Sequence, residues 1–173
     1  MAYLTLYYTG MRIGELQALT ASDVDTEAGT ITISKTYHRK YGVEMITTPK
    51  TPKANRTITI PKFLCAALQE YINKIYQPDA DTRIFPYSHS CYTDAFRSHT
   101  KKAGVKPIRL HGLRHSHASL LIELGFSVLL ISERLGHENV STTLNIYAHL
   151  FPSRHLLPKS YHGAEKNPGN AYK

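Results

Sequence analysis

At 173 residues the chain holds about one domain's worth of core and little beyond it, and 21 Lys and Arg against 13 Asp and Glu give it a net charge of +8. That balance favours an anionic partner, nucleic acid being the commonest for a basic domain, over the plain alternative of a soluble basic protein. No apolar run approaches the ~20 residues of a membrane span, no leader pattern opens the chain, and Cys65 and Cys91 fit reduced thiols in a cytoplasmic chain better than a disulfide scaffold.

Residues 1–10, MAYLTLYYTG, read as the last turns of an apolar helix stopped by Gly10, as if the chain were a piece of something longer. Residues 12–19 follow as a short helix that turns Ile13, Leu16 and Leu19 inward and carries Arg12 in its first turn. Asp23 and Asp25, a close acidic pair, read as turn residues ahead of a strand. From Thr30 the period changes to two. ITISKTY, VEMITTP and RTITIP alternate branched or apolar with polar residues, as half-buried strands do, and predict a small three-stranded antiparallel sheet in the N-terminal third. Between them YHRKYG carries Arg39 and Lys40, and TPKTPKANR carries Lys50, Lys53 and Arg56, so both hairpin tips are basic. Such residues either meet a phosphate backbone or are simply solvated.

After Pro61 the helical period returns, with Phe63, Leu64, Ala67, Leu68, Tyr71, Ile72 and Ile75 forming an apolar stripe down to Pro78. Further helices are expected over 90–103, over 111–124 ending at Gly125, over 127–135, and over 141–149 with Ser141 as cap. The fold class is therefore α+β and mostly helical. Beyond Phe151 prolines and glycines break every period, so residues 1–150 should fold and 151–173 should form a loose tail.

On the helix that starts at His111, about 100° per residue gathers His111, Arg114, His115 and Ala118 on one side and Leu113, Leu120, Leu121 and Leu124 on the other. A cationic, titratable cluster of this kind is costly to assemble unless an anion fills it. By spacing alone the same pattern is a solvated helix face. His117 falls with the leucines, as a core or interface histidine. Tyr147 follows Leu144 by three and is a packing residue by that spacing; what singles it out is its place in LGHENVSTTLNIYAH, ten positions after His137.

TGMRIGEL, TPKTPKANRTI, LHGLRH and LGHENVSTTLNIYAH, in that order, resemble the motifs of the tyrosine recombinase catalytic domain, the family of integrases of temperate phages and conjugative elements. The likeness runs from about Tyr3 to Leu150. It implies that residues 1–150 form the tyrosine recombinase catalytic fold, truncated at its N-terminus, because family members place a helical core-binding domain ahead of it. It implies a site-specific recombinase that cleaves and rejoins duplex DNA through a 3′-phosphotyrosine. Arg12 then matches the first catalytic arginine, Lys50 the hairpin lysine with Lys53 as its competitor, His111 and Arg114 the His-x-x-Arg pair, His137 the third-motif histidine and Tyr147 the nucleophile. Glu15 matches a commonly acidic position that orients an active-site arginine, and His115 stands in support. Arg39, Lys40, Lys53 and Arg56 are candidate DNA contacts. Implied partners are duplex DNA, further protomers in a tetramer, and accessory DNA-bending or directionality proteins, with a nucleoid-associated location. The Pro- and Gly-rich tail departs from the ordered tail that family members dock on a neighbour. A type IB-like topoisomerase and a noncatalytic DNA-binding module are the competing readings.

The chemistry asks for these groups. A phosphodiester gathers negative charge on its nonbridging oxygens in the transition state, which two planar guanidiniums, Arg12 and Arg114, can match. A phenol with an ordinary pKa of about 10 must lose its proton as it attacks, to His111 or to a pathway through it. Lys50, crowded by cations, can supply a proton to the leaving 5′ oxygen, and His137 can hydrogen-bond a nonbridging oxygen and help place the phenol. The phosphotyrosine keeps the energy of the broken bond, so no cofactor is expected, and no G-x-x-x-x-G-K loop is present. His38, His99, His155 and His162 lack metal-ligand spacing with cysteine, and no metal is expected.

Overall fold

The computed structural model describes residues 1–49, 51–75, 79 and 81–151. Lys50, Pro78, His155, His162 and the expected loose tail lie outside the described residues. Two helices lead, α1 (Ala2–Thr9) and α2 (Ile13–Ala18). Five strands follow: β1 (Val24–Asp25), β2 (Thr30–Ile33), β3 (Thr36–Lys40), β4 (Val43–Thr47) and β5 (Arg56–Thr59). Among the described residues five helices complete the order: α3 (Lys62–Asn73), α4 (His89–Lys102), α5 (Gly112–Glu123), α6 (Val128–Leu135) and α7 (Val140–Tyr147). The class is the expected one, helices with a small antiparallel sheet.

The sheet is built from other pieces than the alternation suggested. ITISKTY breaks at Ser34 and Lys35, and its halves take different partners: β2 sits between β1 and β5 in one three-stranded sheet, while β3 pairs only with β4. Burial explains the split. Ile31, Ile33 and Ile58 are inside, whereas Val43, Met45 and Ile46 of β4 remain exposed, so the VEMITTP alternation has no core to face. The break point is anchored by Lys35, which pairs with Asp23 at 2.8 Å. Asp23 and Asp25 do act as turn residues. Asp23 accepts from the Thr20 N–H and hydroxyl, and Asp25 accepts from the N–H groups of Glu27 and Ala28, although Asp25 also belongs to β1. Arg39 and Lys40 are exposed strand positions rather than tip residues; the turn itself is Tyr41 and Gly42, at φ 52° and 81°, as a two-residue hairpin turn of type I′ requires.

Helix ends follow local signals. Ser88 and Ser127 cap α4 and α6 by accepting from the N–H groups of Cys91 and Leu130. Asn139 rather than Ser141 occupies the N-cap of α7, and Arg12 the N-cap rather than the first turn of α2. Gly10 ends α1 at φ 66°, where a Cβ would meet the His117 ring at 2.6 Å and Leu135 at 2.8 Å. The end of α1 is thus pressed between α5 and α6. Two buried clusters result. One gathers Leu6, Met11, Leu16, Ile31, Leu64, Phe85 and their neighbours; the other gathers Ala118, Leu121, Ile122, Ile131, Leu135 and Tyr147 from the last three helices.

Candidate active site

The candidate residues converge where the two clusters meet. Glu15, 3% exposed, is the anchor on the first side. Its carboxylate accepts from the Arg12 N–H at 2.8 Å and Nη1 at 2.9 Å, closing the N-terminus of α2, and from Arg56 Nη2 at 2.9 Å and Nη1 at 3.2 Å. Burial alone would raise its pKa; the hydrogen bond and charge of Arg56, joined by Arg12, outweigh burial and hold the carboxyl below its ordinary value. The Arg12 side chain remains 43% exposed, so its guanidinium is held from behind while open to solvent.

Arg56 corrects an expectation. Read as a basic tip residue for DNA, it is turned inward, its side chain 7% exposed. Besides Glu15 it donates from Nε to the Arg134 carbonyl at 2.8 Å and from Nη1 to the Ala54 carbonyl at 3.0 Å. With four hydrogen bonds to internal acceptors, this guanidinium is held as a structural clamp. Gly136 makes room for it: at φ 66° it ends α6, and a Cβ there would lie 2.8 Å from Arg56 Nη1.

Arg114 comes from the first turn of α5 and is 4% exposed. Nη1 donates to the Gly10 carbonyl at 2.6 Å and Nη2 to the Leu135 carbonyl at 2.7 Å, which fixes the plane of the fork. Burial, then repulsion from Arg12, pushes its pKa down to about 9, leaving it cationic at neutral pH. His137 follows Gly136, with Nδ1 2.8 Å from the Thr143 hydroxyl. Burial, then the charges of Arg114 and Arg12, pushes its pKa down to about 4, so the ring is neutral at pH 7.

Tyr147 ends α7, 4% exposed, its ring in the second cluster, against which Phe151 also packs. The packing role read from its spacing is the one the fold gives it. Burial raises the phenol's pKa and the Arg114 charge opposes that rise. The hydrogen-bond partner of Oη is His115, whose Nδ1 lies at 2.8 Å. His111, at the N-cap of α5, stands behind it, the two imidazoles edge to face at 5.0 Å. Burial, then the charges of His115, Arg114 and Arg12, lowers the pKa of His111.

The fold thus brings Arg12, His111, Arg114, His115, His137 and Tyr147 into one electrostatic neighbourhood with Glu15 behind Arg12. Lys50 lies outside the described residues, but Pro49 and Thr51 on either side of it line a cleft shared with Arg12, Glu15 and Gly136. Lys53 is exposed and donates to the Glu138 carbonyl at 3.0 Å, one residue past His137. Arg39 and Lys40 sit apart on the β3–β4 hairpin. His117 is the core histidine expected, accepting from Arg134 Nε at 2.9 Å. Sequence reasoning missed Thr143 and Arg134; the only signal for Thr143 was its place six residues after His137 on a short helix. Among the described residues no group of His, Cys, Asp or Glu is placed to hold a metal ion, and no helix is long and apolar enough to cross a membrane.

Comparison with known proteins finds a match to the phage integrase family model over residues 1–154. The chain is 34% identical over 165 residues to the ICEBs1 integrase of Bacillus subtilis (strain 168), covering 88% of this chain and 45% of that protein. It is 35% identical over 159 residues to the integrase of Staphylococcus phage L54a, covering 82% and 45%. Among solved structures, the Tn1549 transposon integrase in complex with circular intermediate DNA is similar at a TM-score of 0.76 and 26% identity, over 94% of this chain and 57% of that one. XerA recombinase is similar at 0.64 and 26%, over 86% and 55%. The chain spans about half the length of the curated relatives it matches.

Proposed function

Because this chain belongs to the phage integrase family, we propose that residues 1–150 are the catalytic domain of a site-specific recombinase that cleaves and rejoins duplex DNA through a 3′-phosphotyrosine at Tyr147. The observation that carries the reading is the Tyr147 hydroxyl, buried, hydrogen-bonded to a histidine and under the influence of the Arg114 charge. Arg12 and Arg114 take the nonbridging oxygens, where fixed cations act most strongly on developing charge. His137 is neutral, and the tautomer that accepts at Nδ1 from the Thr143 hydroxyl carries its proton on Nε2, where it can hydrogen-bond the same phosphate. Tn1549 integrase is solved with circular intermediate DNA and with transposon right end DNA, and the +8 charge favours the same class of ligand here. Lys53, Arg39 and Lys40 are the proposed backbone contacts. In the whole protein the partners are further protomers in a tetramer on DNA, with accessory DNA-bending or directionality proteins, at the nucleoid.

The relatives are integrases and recombinases, which favours strand exchange over topoisomerase action, and the cationic groups around Tyr147 argue against a noncatalytic docking module. Trapping of a covalent adduct on a nicked duplex tests the proposal. The adduct should form undiminished in excess chelator; loss on chelation with rescue by magnesium would place the chain among metal-dependent nucleases.

The leaving group separates the two lysines. Lys50→Ala is expected to slow adduct formation on normal DNA by roughly 100-fold or more, and to recover on a 5′-bridging phosphorothiolate, whose sulfur departs without a proton. Lys53→Ala should show no such selectivity: its Nζ holds the Glu138 carbonyl, and any small loss from a weaker backbone contact should be the same on both substrates. Selective rescue of Lys53→Ala instead would move the acid to Lys53.

A further inference from the structure

Resting on Tyr147 as the nucleophile, we propose that His115 is the catalytic base that removes the phenol's proton, the role expected of His111. His115 Nδ1 lies 2.8 Å from Tyr147 Oη, so no rearrangement is needed for proton transfer between them. The direction of this bond follows from satisfaction. A hydroxyl on a residue 4% exposed needs an acceptor for its proton, and a buried O–H left without one costs about 1–3 kcal/mol. An Nδ1–H pointing at Oη would create that defect; an unprotonated Nδ1 removes it. The proton of the neutral ring then sits on Nε2, and since His115 is exposed, water can solvate it there.

Four groups surround the His115 ring. His111 faces it from the preceding turn of α5, Tyr147 from the end of α7, and His137 from the turn before α7, with Arg114 adjacent in sequence. His137 and His111 both have lowered pKa values, which leaves two of these neighbours uncharged at neutral pH. Arg114 is the opposing cation, and two backbone carbonyls hold its fork. Burial keeps the phenol protonated at rest, so transfer accompanies attack rather than preceding it.

The step balances. As an Oη lone pair attacks phosphorus, the Oη–H proton passes to Nδ1 of His115, the bond from phosphorus to the 5′ oxygen breaks, and the hairpin lysine protonates that oxygen. In rejoining, the 5′ hydroxyl attacks, returns its proton to the lysine, and Tyr147 leaves phosphorus and retakes its proton from His115. No external acid, base or oxidant is consumed.

Two measurements test this. Single-turnover adduct formation on a nicked duplex should fall about 100-fold or more in His115→Asn with DNA affinity unchanged, and the variant's rate should climb with pH where the parent's levels off, because hydroxide replaces the imidazole. Imidazole nitrogen NMR should find the His115 proton on Nε2 in the parent, with the Nδ1 resonance shifting in Tyr147→Phe. A parent that forms an adduct while His115→Asn matches it within twofold overturns the base and leaves the nucleophile standing. A proton resident on Nδ1 overturns it as well. A parent that forms no adduct removes the recombinase reading and the base together.

Discussion

Tyr147→Phe is expected to bind nicked duplex DNA with parental affinity and to form no covalent adduct at any pH. The substitution removes one oxygen and leaves the ring in the cluster of Ala118, Leu121, Ile131 and Leu135. The lost hydrogen bond reaches an exposed histidine that water can re-satisfy, so about 1 kcal/mol or less of stability is at stake. The loss of chemistry is complete because no other atom of that side chain can attack. Denaturing electrophoresis of labelled DNA reads the outcome directly. An adduct persisting in this variant would end the assignment, and the replacement candidates are Tyr3, Tyr7 and Tyr8. Of these Tyr3 already donates to the Tyr92 carbonyl at 2.9 Å, and Tyr8 packs edge-on against Phe63.

Glu15→Ala is the second large effect, and it acts on stability and catalysis together. Removing the carboxylate strands Arg56, whose side chain is 7% exposed, and breaking a buried ion pair from one side typically costs about 3–5 kcal/mol. A fall in Tm of roughly 10 °C is expected for a chain of this size, with a matching shift of the urea midpoint. Arg12 loses its carboxylate partner at the same time, so adduct formation should drop even well below the melting temperature. The pH dependence carries a sign. The folded-state pKa of Glu15 is lowered, so its contribution is fully present above the unfolded pKa and disappears as pH falls through the folded value. The stability gap between parent and variant should therefore narrow toward acid. A gap that stays constant into strong acid would mean that packing, not the ion pair, holds α2 in place.

Most helices were legible because their ends carry local signals that act wherever the chain goes. Ser127 caps α6, Gly136 ends it, and Gly10 ends α1, and none of these depends on a distant partner. Strand pairing was not legible in the same way. Ile31, Ile33 and Ile58 alternate no more strictly than Val43 and Met45, yet only the first set finds a core. The candidate site divides similarly. Arg12, His111, Arg114, His137 and Tyr147 stand in recognisable motifs, and the fold gathers them. Arg56 looks the same in sequence whether its charge faces a phosphate or Glu15; the missing side chain at Gly136, 80 residues later, is what admits it inward. The helical wheel placed His115 and His111 on one face but could not say which of them meets Tyr147, 32 residues beyond His115.

Arg114 and Arg134 bridge the two clusters in a way that fat-on-fat contact cannot. Arg114 joins the carbonyls of Gly10 and Leu135, while Arg134 joins those of Tyr8 and Thr59 and the ring of His117. Apolar surfaces slide over one another at little expense, whereas a planar fork bonded to two carbonyls resists both translation and rotation. The joint is keyed rather than greased. A load applied to one half is handed to the other without slip, so Arg12, Arg114 and the frame around the phenol travel as one body. Any travel of the tyrosine relative to that body falls to the chain after Gly136, a turn and the eight residues of α7.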